Sequence, residues 1–168
     1  LLLSLTLLMG CGSDGAQDVP VDTQTEILTE TETETEHVPV VTKVTVTATG
    51  DCALGALSVH GYEGSFHSFY DSYGETHFFE NFREIFEADD LTLINLECVF
   101  TDSEALVPKQ FNIKGRPEYT GILTSSSVEA CSLGNNHIVD YGEEGIVDTK
   151  AALDAASVAY AYNDIIAY

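Results

Sequence analysis

The fold is decided by the stretch Asp90-Leu-Thr-Leu-Ile-Asn-Leu-Glu97. A short and nearly continuous apolar run of this length predicts a buried β-strand over residues 91–96 that ends at Glu97. Before it, Phe and Ile recur at helical spacing between residues 78 and 86, which predicts an amphipathic helix over residues 76–87. The phenylalanines of this helix are expected to lie in the core. A helix joined to a strand in this way is typical of an α/β fold.

Helical and extended patterns continue to alternate on both sides of this unit. Further strands are predicted over residues 38–48, 111–114, 128–133 and 158–162, and further helices over residues 117–123 and 143–156; residues 62–73 read as irregular. Such alternation favours a largely parallel sheet that helices cover on both faces. We therefore expect an α/β fold, with residues 38–168 forming the N-terminal portion of a layered α/β/α sandwich truncated at its C-terminus.

The first residues resemble the end of a bacterial lipoprotein signal peptide. Residues 1–8 are nearly all Leu, and Leu8-Met-Gly-Cys11 follows, which resembles a lipobox. A membrane-spanning helix needs about 20 apolar residues, whereas about 10 suit a signal peptide. We expect residues 1–11 to be a lipoprotein signal peptide and Cys11 to be lipidated, which would anchor the protein to the extracytoplasmic face of the membrane. The alternative is an ordinary cleaved signal peptide in which Cys11 has no role.

Residues 12–37 form a separate, acidic segment rich in Thr and Glu. Eight acidic residues and no Lys or Arg lie between residues 14 and 36. The Thr-Glu repeats of residues 29–36 carry no apolar face, so burial cannot offset the entropy lost on ordering. Repulsion between like charges extends such a chain. We expect a disordered linker that spaces the folded domain from the membrane.

The charge of the whole chain restricts its partners. It holds 28 Asp and Glu against 6 Lys and Arg, for a formal net charge of −22. A surface so acidic repels nucleic acids and anionic membrane surfaces. Nucleic acid is therefore not expected as a partner.

Three cysteines besides Cys11 lie in the predicted domain, at Cys52, Cys98 and Cys131. Their odd number and the lack of any CxxC spacing argue against both a disulfide framework and a zinc knuckle. We expect them to be small buried residues, because free cysteine is among the most buried residue types. A Cys52–Cys98 disulfide is the alternative in an extracytoplasmic protein.

Polar residues follow three of the predicted strands. Gly50-Asp51 follows the first, Asn95 and Glu97 end the second, and Asn135-Asn-His137 follows a later one. The carboxyl ends of parallel strands meet at one edge of an open sheet, where ligands bind. Asp, Glu and Asn supply oxygen ligands for metal ions, and His can bind a metal or transfer a proton. The three clusters together predict a site at this edge.

The same residues resemble the motifs of the poly-γ-glutamate capsule-synthesis (CapA) family. The similar segments, in order, are Gly50-Asp-Cys-Ala-Leu-Gly55, Asp90-Leu-Thr-Leu-Ile-Asn-Leu-Glu97, Phe111-Asn-Ile-Lys-Gly-Arg-Pro-Glu-Tyr119 and Val128-Glu-Ala-Cys-Ser-Leu-Gly-Asn-Asn-His137 with Asp140-Tyr-Gly142. Gly134 stands where the family pattern usually has Ala, a change between two small residues. The resemblance runs from about residue 44 to the end and implies a fold related to the calcineurin-like metallophosphatases.

This resemblance implies a role for several residues. Asp51, Glu97 and Asn136 would be ligands of divalent metal ions (Mn, Fe, Zn or Mg), and His137 would assist the leaving group. Asn135 is a weaker candidate for binding substrate. Lys114 and Arg116, two of only six basic residues, are weaker candidates for binding an anionic substrate, and salt bridges to the acidic surface are the alternative for both. The family also carries His-containing motifs beyond the position of residue 168.

Each of these residues also has a purely structural interpretation. Asp51 could cap a helix or turn, and Glu97 could pair with Lys109 or Lys114. Asn135 and Asn136 suit tight turns. Three further histidines lie in the aromatic region but lack metal-ligand spacing to one another: His60, His67 and His77.

The function that the resemblance implies is the synthesis of a surface polymer such as poly-γ-glutamate. The partners would be the membrane, through the lipid anchor, and the polymer or its synthesis machinery. If the protein is an enzyme, the reaction would be metal-assisted hydrolysis or transfer at a phosphoryl, amide or ester bond. One alternative is a non-catalytic surface lipoprotein that binds the polymer or a membrane partner. Another is a general extracytoplasmic metallophosphoesterase.

Overall fold

The computed structural model describes residues 41–163. The strands are β1 (Val46–Cys52), β2 (Ala56–Leu57), β3 (Leu91–Leu96), β4 (Val99–Phe100), β5 (Ile113–Gly115), β6 (Ala130–Ser132) and β7 (Ala159–Ala161). The α-helices are α1 (Phe66–Tyr73), α2 (Arg83–Phe86), α3 (Thr120–Thr124) and α4 (Gly142–Ala155), with 3₁₀ turns at Glu75–His77 and Pro117–Tyr119. The predicted signal peptide, the lipidated Cys11 and the linker of residues 12–37 lie outside the described residues.

The strands form two sheets. The larger has four strands in the order β1-β3-β6-β7, and every neighbouring pair in it is parallel. The smaller has the order β2-β5-β4, with β2 antiparallel and β4 parallel to β5. The predicted α/β fold with a largely parallel sheet is therefore confirmed. No helix among residues 41–163 is long and apolar enough to span a bilayer.

One face of strand β3 lies in the core of the larger sheet. Thr92, Ile94 and Leu96 alternate along it and are all fully buried, whereas Leu93 on the opposite face is 36% exposed. Side chains alternate between the two faces of a strand, so one face of β3 lies in the core. Within residues 41–163 the opposite face of the sheet is only partly covered.

A β-bulge in β1 sets the direction of Asp51. Ala48 pairs with Leu93, and the next pair joins Asp51 to Asn95, so β1 advances three residues while β3 advances two. The extra residue reverses the alternation of side chains beyond it. Without the bulge, Asp51 would pair with Leu96 on the buried face of the sheet. The bulge instead places Asp51 beside Asn95.

Helix α4 follows its predicted bounds within one residue at each end. Its inward residues Ile146, Thr149 and Leu153 are buried, at the spacing of one helix face. The Thr149 hydroxyl accepts a hydrogen bond from the backbone N–H of Phe100 (3.0 Å), which ties the helix to β4. The helix thus holds the smaller sheet in place.

The aromatic region departs from the prediction. Residues 66–73, predicted to be irregular, form α1, whose N-cap Ser65 accepts a hydrogen bond from Ser68 N–H. Its aromatic side chains pack across the chain: Phe66 stacks on Phe78, and Tyr70 meets Tyr119, each at a centroid distance of 4.3 Å. This distant aromatic packing stabilises a helix that local propensity alone does not indicate.

The prediction of one helix over residues 76–87 was wrong in length. The chain forms a 3₁₀ turn at Glu75–His77 and then the four-residue α2. Phe79 and Phe86 are buried as expected, but Phe82 and Ile85 are 53% and 56% exposed. Phe78 stacks on Phe66 of α1 instead of continuing one helix face with Phe82 and Ile85. Residues 76–87 therefore do not present all their apolar side chains to the core.

Two glycines allow the close approach of residues 54–55 to β5. A Cβ on Gly115 would overlap the carbonyl oxygen of Leu54 and lie 2.8 Å from Cδ1 of Phe100, and a Cβ on Gly55 would lie 2.6 Å from the carbonyl carbon of Lys114. We predict that Gly115→Ala lowers the free energy of unfolding by roughly 1–3 kcal/mol through overpacking. Denaturant unfolding of the purified protein measures this change.

The matched control is Gly61→Ala. A Cβ at Gly61 meets no atom within 4 Å, so this variant should unfold at the wild-type denaturant concentration or slightly above it. Equal stability of the two variants would contradict the close approach at β5.

Candidate functional site

The amide of Asn95 joins two carboxylates at the carboxyl end of β3. Its Nδ2 donates to Oδ1 of Asp51 (2.7 Å) and to Oε2 of Glu97 (2.5 Å). Ionised carboxylates only accept hydrogen bonds, so they fix the orientation of the Asn95 amide. The two acids predicted to meet at this edge therefore lie on either side of one NH₂ group.

Asn135 extends this network to the loop after β6. Its Nδ2 donates to Oδ1 of Asn95 (2.9 Å) and to the backbone carbonyl of Leu96 (2.8 Å). Its Oδ1 accepts from the backbone N–H groups of His137 (2.9 Å) and Ile138 (3.0 Å). A side-chain oxygen that bonds the backbone two and three residues ahead is typical of an Asx turn. Asn135 thus sets the loop that carries His137 against the end of β3.

Asp140 orients the ring of His137. Nδ1 of His137 lies 2.8 Å from Oδ2 of Asp140, which also accepts from the backbone N–H of Ile113 (2.6 Å). Asp140 is fully buried and forms an ion pair with Lys109. A buried charge that is paired and hydrogen-bonded holds a fixed position. The other ring nitrogen of His137, Nε2, is therefore directed away from Asp140.

Asp140 was not singled out as a site residue from the sequence. The signal was present in the spacing, because Asp140 follows His137 by three residues, within reach across one turn of chain. An Asp that contacts Nδ1 selects the tautomer and orientation of a functional histidine. We call Asp51, Asn95, Glu97, Asn135, His137 and Asp140 the rim network.

Asn136 lies differently from its neighbour. Its side chain is exposed, and its backbone carbonyl accepts a hydrogen bond from Lys109 (3.0 Å). Among the described residues its side-chain amide makes no hydrogen bond. Of the two adjacent asparagines, the structure brings Asn135 into the network and leaves the side chain of Asn136 facing solvent.

The structure places Lys114 and Arg116 outside the rim network. Lys114 Nζ lies 2.6 Å from the Glu104 carboxylate, and Arg116 forms a bidentate pair with Asp71 (2.7 and 3.0 Å). The Arg116 and Tyr62 hydrogen bonds lower the pKa of Asp71 to about 2. Since Lys109 and Lys114 pair with Asp140 and Glu104, neither forms the predicted alternative pair with Glu97.

The remaining histidines are dispersed. Nδ1 of His67 lies 2.6 Å from the Tyr119 hydroxyl, and Nδ1 of His77 lies 3.7 Å from the Glu80 carboxylate. His60 lines a hollow between β2 and β5. None of the three shares a hydrogen bond with the rim network in the described part of the chain.

The cysteines of the domain are free thiols. Cys98 and Cys131 are buried as predicted, and burial raises the pKa of Cys131 to about 12. Cys52 is only half-buried, with Sγ 3.3 Å from the hydroxyl of Thr49. The alternative Cys52–Cys98 disulfide is therefore absent from the described residues.

The donor set of the rim fits a hard divalent cation in part. Two carboxylates, from Asp51 and Glu97, converge on Asn95, and such oxygen donors suit Mg²⁺ or Mn²⁺. Their mutual repulsion is relieved here only by an amide, and a cation would relieve it further. Within residues 41–163, however, no group of three His, Cys, Asp or Glu side chains comes together as a metal site.

The rim network yields a prediction about Asn95. In Asn95→Asp the bridging donor becomes a third carboxylate, so both hydrogen bonds to charged acceptors are lost. We expect the free energy of unfolding at pH 7 to fall by roughly 1–3 kcal/mol. Denaturant unfolding of the variant and the wild type at pH 7 measures the difference.

Asn136→Asp is the control for this measurement. It adds the same charge at an exposed side chain that makes no hydrogen bond in the described part of the chain, and should change stability little. A loss as large as that of Asn95→Asp would show that added charge, rather than the lost bridge, is responsible.

Known proteins are similar to this chain over part of its length. Residues 45–161 match the family described as bacterial capsule synthesis protein PGA_cap. Two probable polyglutamine synthesis accessory proteins of Mycobacterium tuberculosis, from strains CDC 1551 / Oshkosh and ATCC 25618 / H37Rv, are each 40% identical to this chain over 72 residues. The matched part is 42% of this chain and only 19% of the length of each relative.

The family match covers β1 to β7 and therefore the whole rim network. It agrees with the parallel α/β sheet and with the metallophosphatase-like fold class expected from the resemblance. The chain belongs to the family of bacterial capsule synthesis proteins, PGA_cap.

Proposed function

We propose that this chain is part of a membrane-anchored extracytoplasmic protein that acts in the synthesis of a poly-γ-glutamate-type surface polymer. The match to a family of capsule synthesis proteins supports a role in making a surface polymer, and so do the names of the two relatives. The observation that carries a role in chemistry is the rim network, where Asp51 and Glu97 converge on Asn95. A structural sheet edge has no need to hold two acids so close together.

In this proposal Asp51 and Glu97 hold a divalent metal ion, with further ligands from parts of the protein outside residues 41–163. When bound, such an ion polarises a substrate oxygen and lowers the pKa of bound water. The reaction class is hydrolysis or transfer at a phosphoryl, amide or ester bond.

The chain's own residues would position and protonate the substrate. His137, held at Nδ1 by Asp140, presents Nε2 as the proton donor to a leaving group. Asn135 fixes the loop through its bonds to His137 and Ile138 and so sets the distance between the histidine and the acids. Asn136, with its exposed side chain, is available to a ligand from solvent.

The metal proposal is tested by Asp51→Asn and Glu97→Gln in the full-length protein. Each variant keeps the size of the side chain and removes one charge, so the affinity for Mn²⁺ should fall at least about tenfold. Isothermal titration calorimetry and elemental analysis measure the affinity and the metal content. Glu143→Gln, at an exposed position in α4, is the control with the same loss of charge. Wild-type metal content in both rim variants would refute the proposal.

A non-catalytic role is the second candidate. It is favoured by the names of the two relatives, which describe accessory proteins of polyglutamine synthesis. The protein would then bind the polymer or a membrane partner and carry out no reaction. A wild-type yield of surface polymer in cells that carry Asp51→Ala together with His137→Ala would support this candidate and exclude the catalytic one.

Lipid anchoring rests on the sequence of residues 1–11. In cells supplied with a labelled fatty acid, we expect the wild-type protein to be labelled and Cys11→Ser to remain unlabelled, because the serine hydroxyl cannot replace the thiol that is lipidated. Gel analysis of the immunoprecipitated full-length protein measures the label. Cys52→Ser is the control and should be labelled as the wild type is, and label retained in Cys11→Ser would contradict the anchor.

A further inference from the structure

A second candidate site lies on the smaller sheet and is lined by none of the residues of the rim network. It is a hollow of about 250 Å³ beside β2, β5 and the neighbouring loops. We call it the Lys114 pocket; its polar lining is Ser58, His60, Tyr62, His67, Glu104, Lys114 and Tyr141. Lys114 and Glu104 carry opposite charges in this lining, whereas the whole chain has a net charge of −22. The balanced lining contrasts with the acidic character of the rest of the chain.

Lys114 is held firmly at the wall of this pocket. It lies in β5, the middle strand of its sheet, and its side chain is only 20% exposed. Its ammonium donates to the backbone carbonyl of Ser103 (3.0 Å) and lies 5.1 Å from the centre of the Tyr141 ring. Gly55 also packs closely against the Lys114 carbonyl, where an added Cβ would lie 2.6 Å from the carbonyl carbon. The positive charge is therefore preorganised.

The counter-ion of Lys114 is much less constrained. The Glu104 carboxylate lies 2.6 Å from Nζ, yet its side chain is 90% exposed. Glu104 belongs to residues 101–112, which form neither helix nor strand. Water competes for an exposed carboxylate, so such an ion pair is weak. A carboxylate from another molecule can replace Glu104 without disturbing the core.

The other groups in the pocket favour a ligand group that carries a single negative charge. Burial and the nearby Arg116 lower the pKa of His67, so its ring is neutral at pH 7. Nδ1 of His67 faces Tyr119, and the Tyr62 hydroxyl donates to Asp71 (2.7 Å). Lys114 is thus the one full positive charge among the residues that line this pocket. A phosphate dianion would bring two charges to one point beside a single cation, whereas the further carboxylates of a glutamyl ligand or of glutarate can remain in solvent.

We propose that the Lys114 pocket binds the carboxylate group of a short glutamyl ligand, in the position that the Glu104 carboxylate occupies as an internal competitor. Binding of a carboxylate follows from the pocket itself, whereas the choice of a glutamyl ligand rests on the proposed function. A long polyanion would be repelled by the rest of the surface, so the ligand is a chain end or a short oligomer.

The test is calorimetric titration of the full-length protein with γ-glutamyl-glutamate and with glutarate. Glu104→Gln should bind both probes several-fold more tightly, because the competing charge is gone. Lys114→Met should weaken both by about tenfold or more, as expected for the loss of a hydrogen bond between charged groups. Glu143→Gln and Lys150→Met are the matched controls and should bind as the wild type does.

Several outcomes would overturn the proposal. Unchanged affinity in Glu104→Gln would show that Glu104 does not compete, and this exposed substitution is not expected to affect folding. Competition by inorganic phosphate as strong as that by glutarate would refute a carboxylate site. Binding of glutarate without binding of the dipeptide would refute the glutamyl assignment.

The two proposals can fail separately. The titration is repeated with Asp51→Asn, which should lose the metal ion and keep the affinity for the dipeptide. A parallel loss of dipeptide affinity in Asp51→Asn would place the ligand at the rim rather than in the Lys114 pocket.

Discussion

Two negative charges are held beside one amide at the end of the central strand, and the rest of the site is arranged around that contact. Asn95 donates both amide hydrogens, one to Asp51 and one to Glu97, and accepts from Asn135 through its oxygen. Each partner comes from a different part of the chain, so the bridge forms only when β1, β3 and the loop after β6 are correctly paired. A neutral donor can hold two acids together without cancelling their charge. Their negative potential is therefore retained for a ligand.

The few lysines and arginines of this acidic chain determine which candidate site favours a cation and which favours an anion. Lys109 forms an ion pair with the buried Asp140. This pair stabilises the Asp140 carboxylate that orients His137. Lys114 lies on the smaller sheet with an exposed partner, and Arg116 is committed to Asp71. No lysine or arginine among the described residues pairs with Asp51 or Glu97. The rim therefore favours a cation, whereas the Lys114 pocket favours an anion.

Periodicity and motif spacing predicted the α/β class, strand β3 and helix α4, because each rests on local pattern. The sequence also predicted that Asp51, Glu97 and His137 lie at the same edge of the sheet, because the carboxyl ends of parallel strands meet there. Helix α1 could not be predicted, because its aromatic face is stabilised by Tyr119 from a distant segment. The sequence also could not show which of Asn135 and Asn136 has its side chain in the rim network. Two identical neighbours differ only in the direction that the turn gives each side chain.

The bulge in β1 has a consequence for how this chain can vary among its relatives. Thr49 and Gly50 lie near the surface, and such positions commonly accept insertions and deletions. Here a change of one residue in chain length would rotate Asp51 from the Asn95 side of the sheet to the Leu96 side. Substitutions at these two positions should be far better tolerated than a gap. Homologues that keep the two acids should therefore keep the count of residues between Ala48 and Asp51, whatever side chains they carry there.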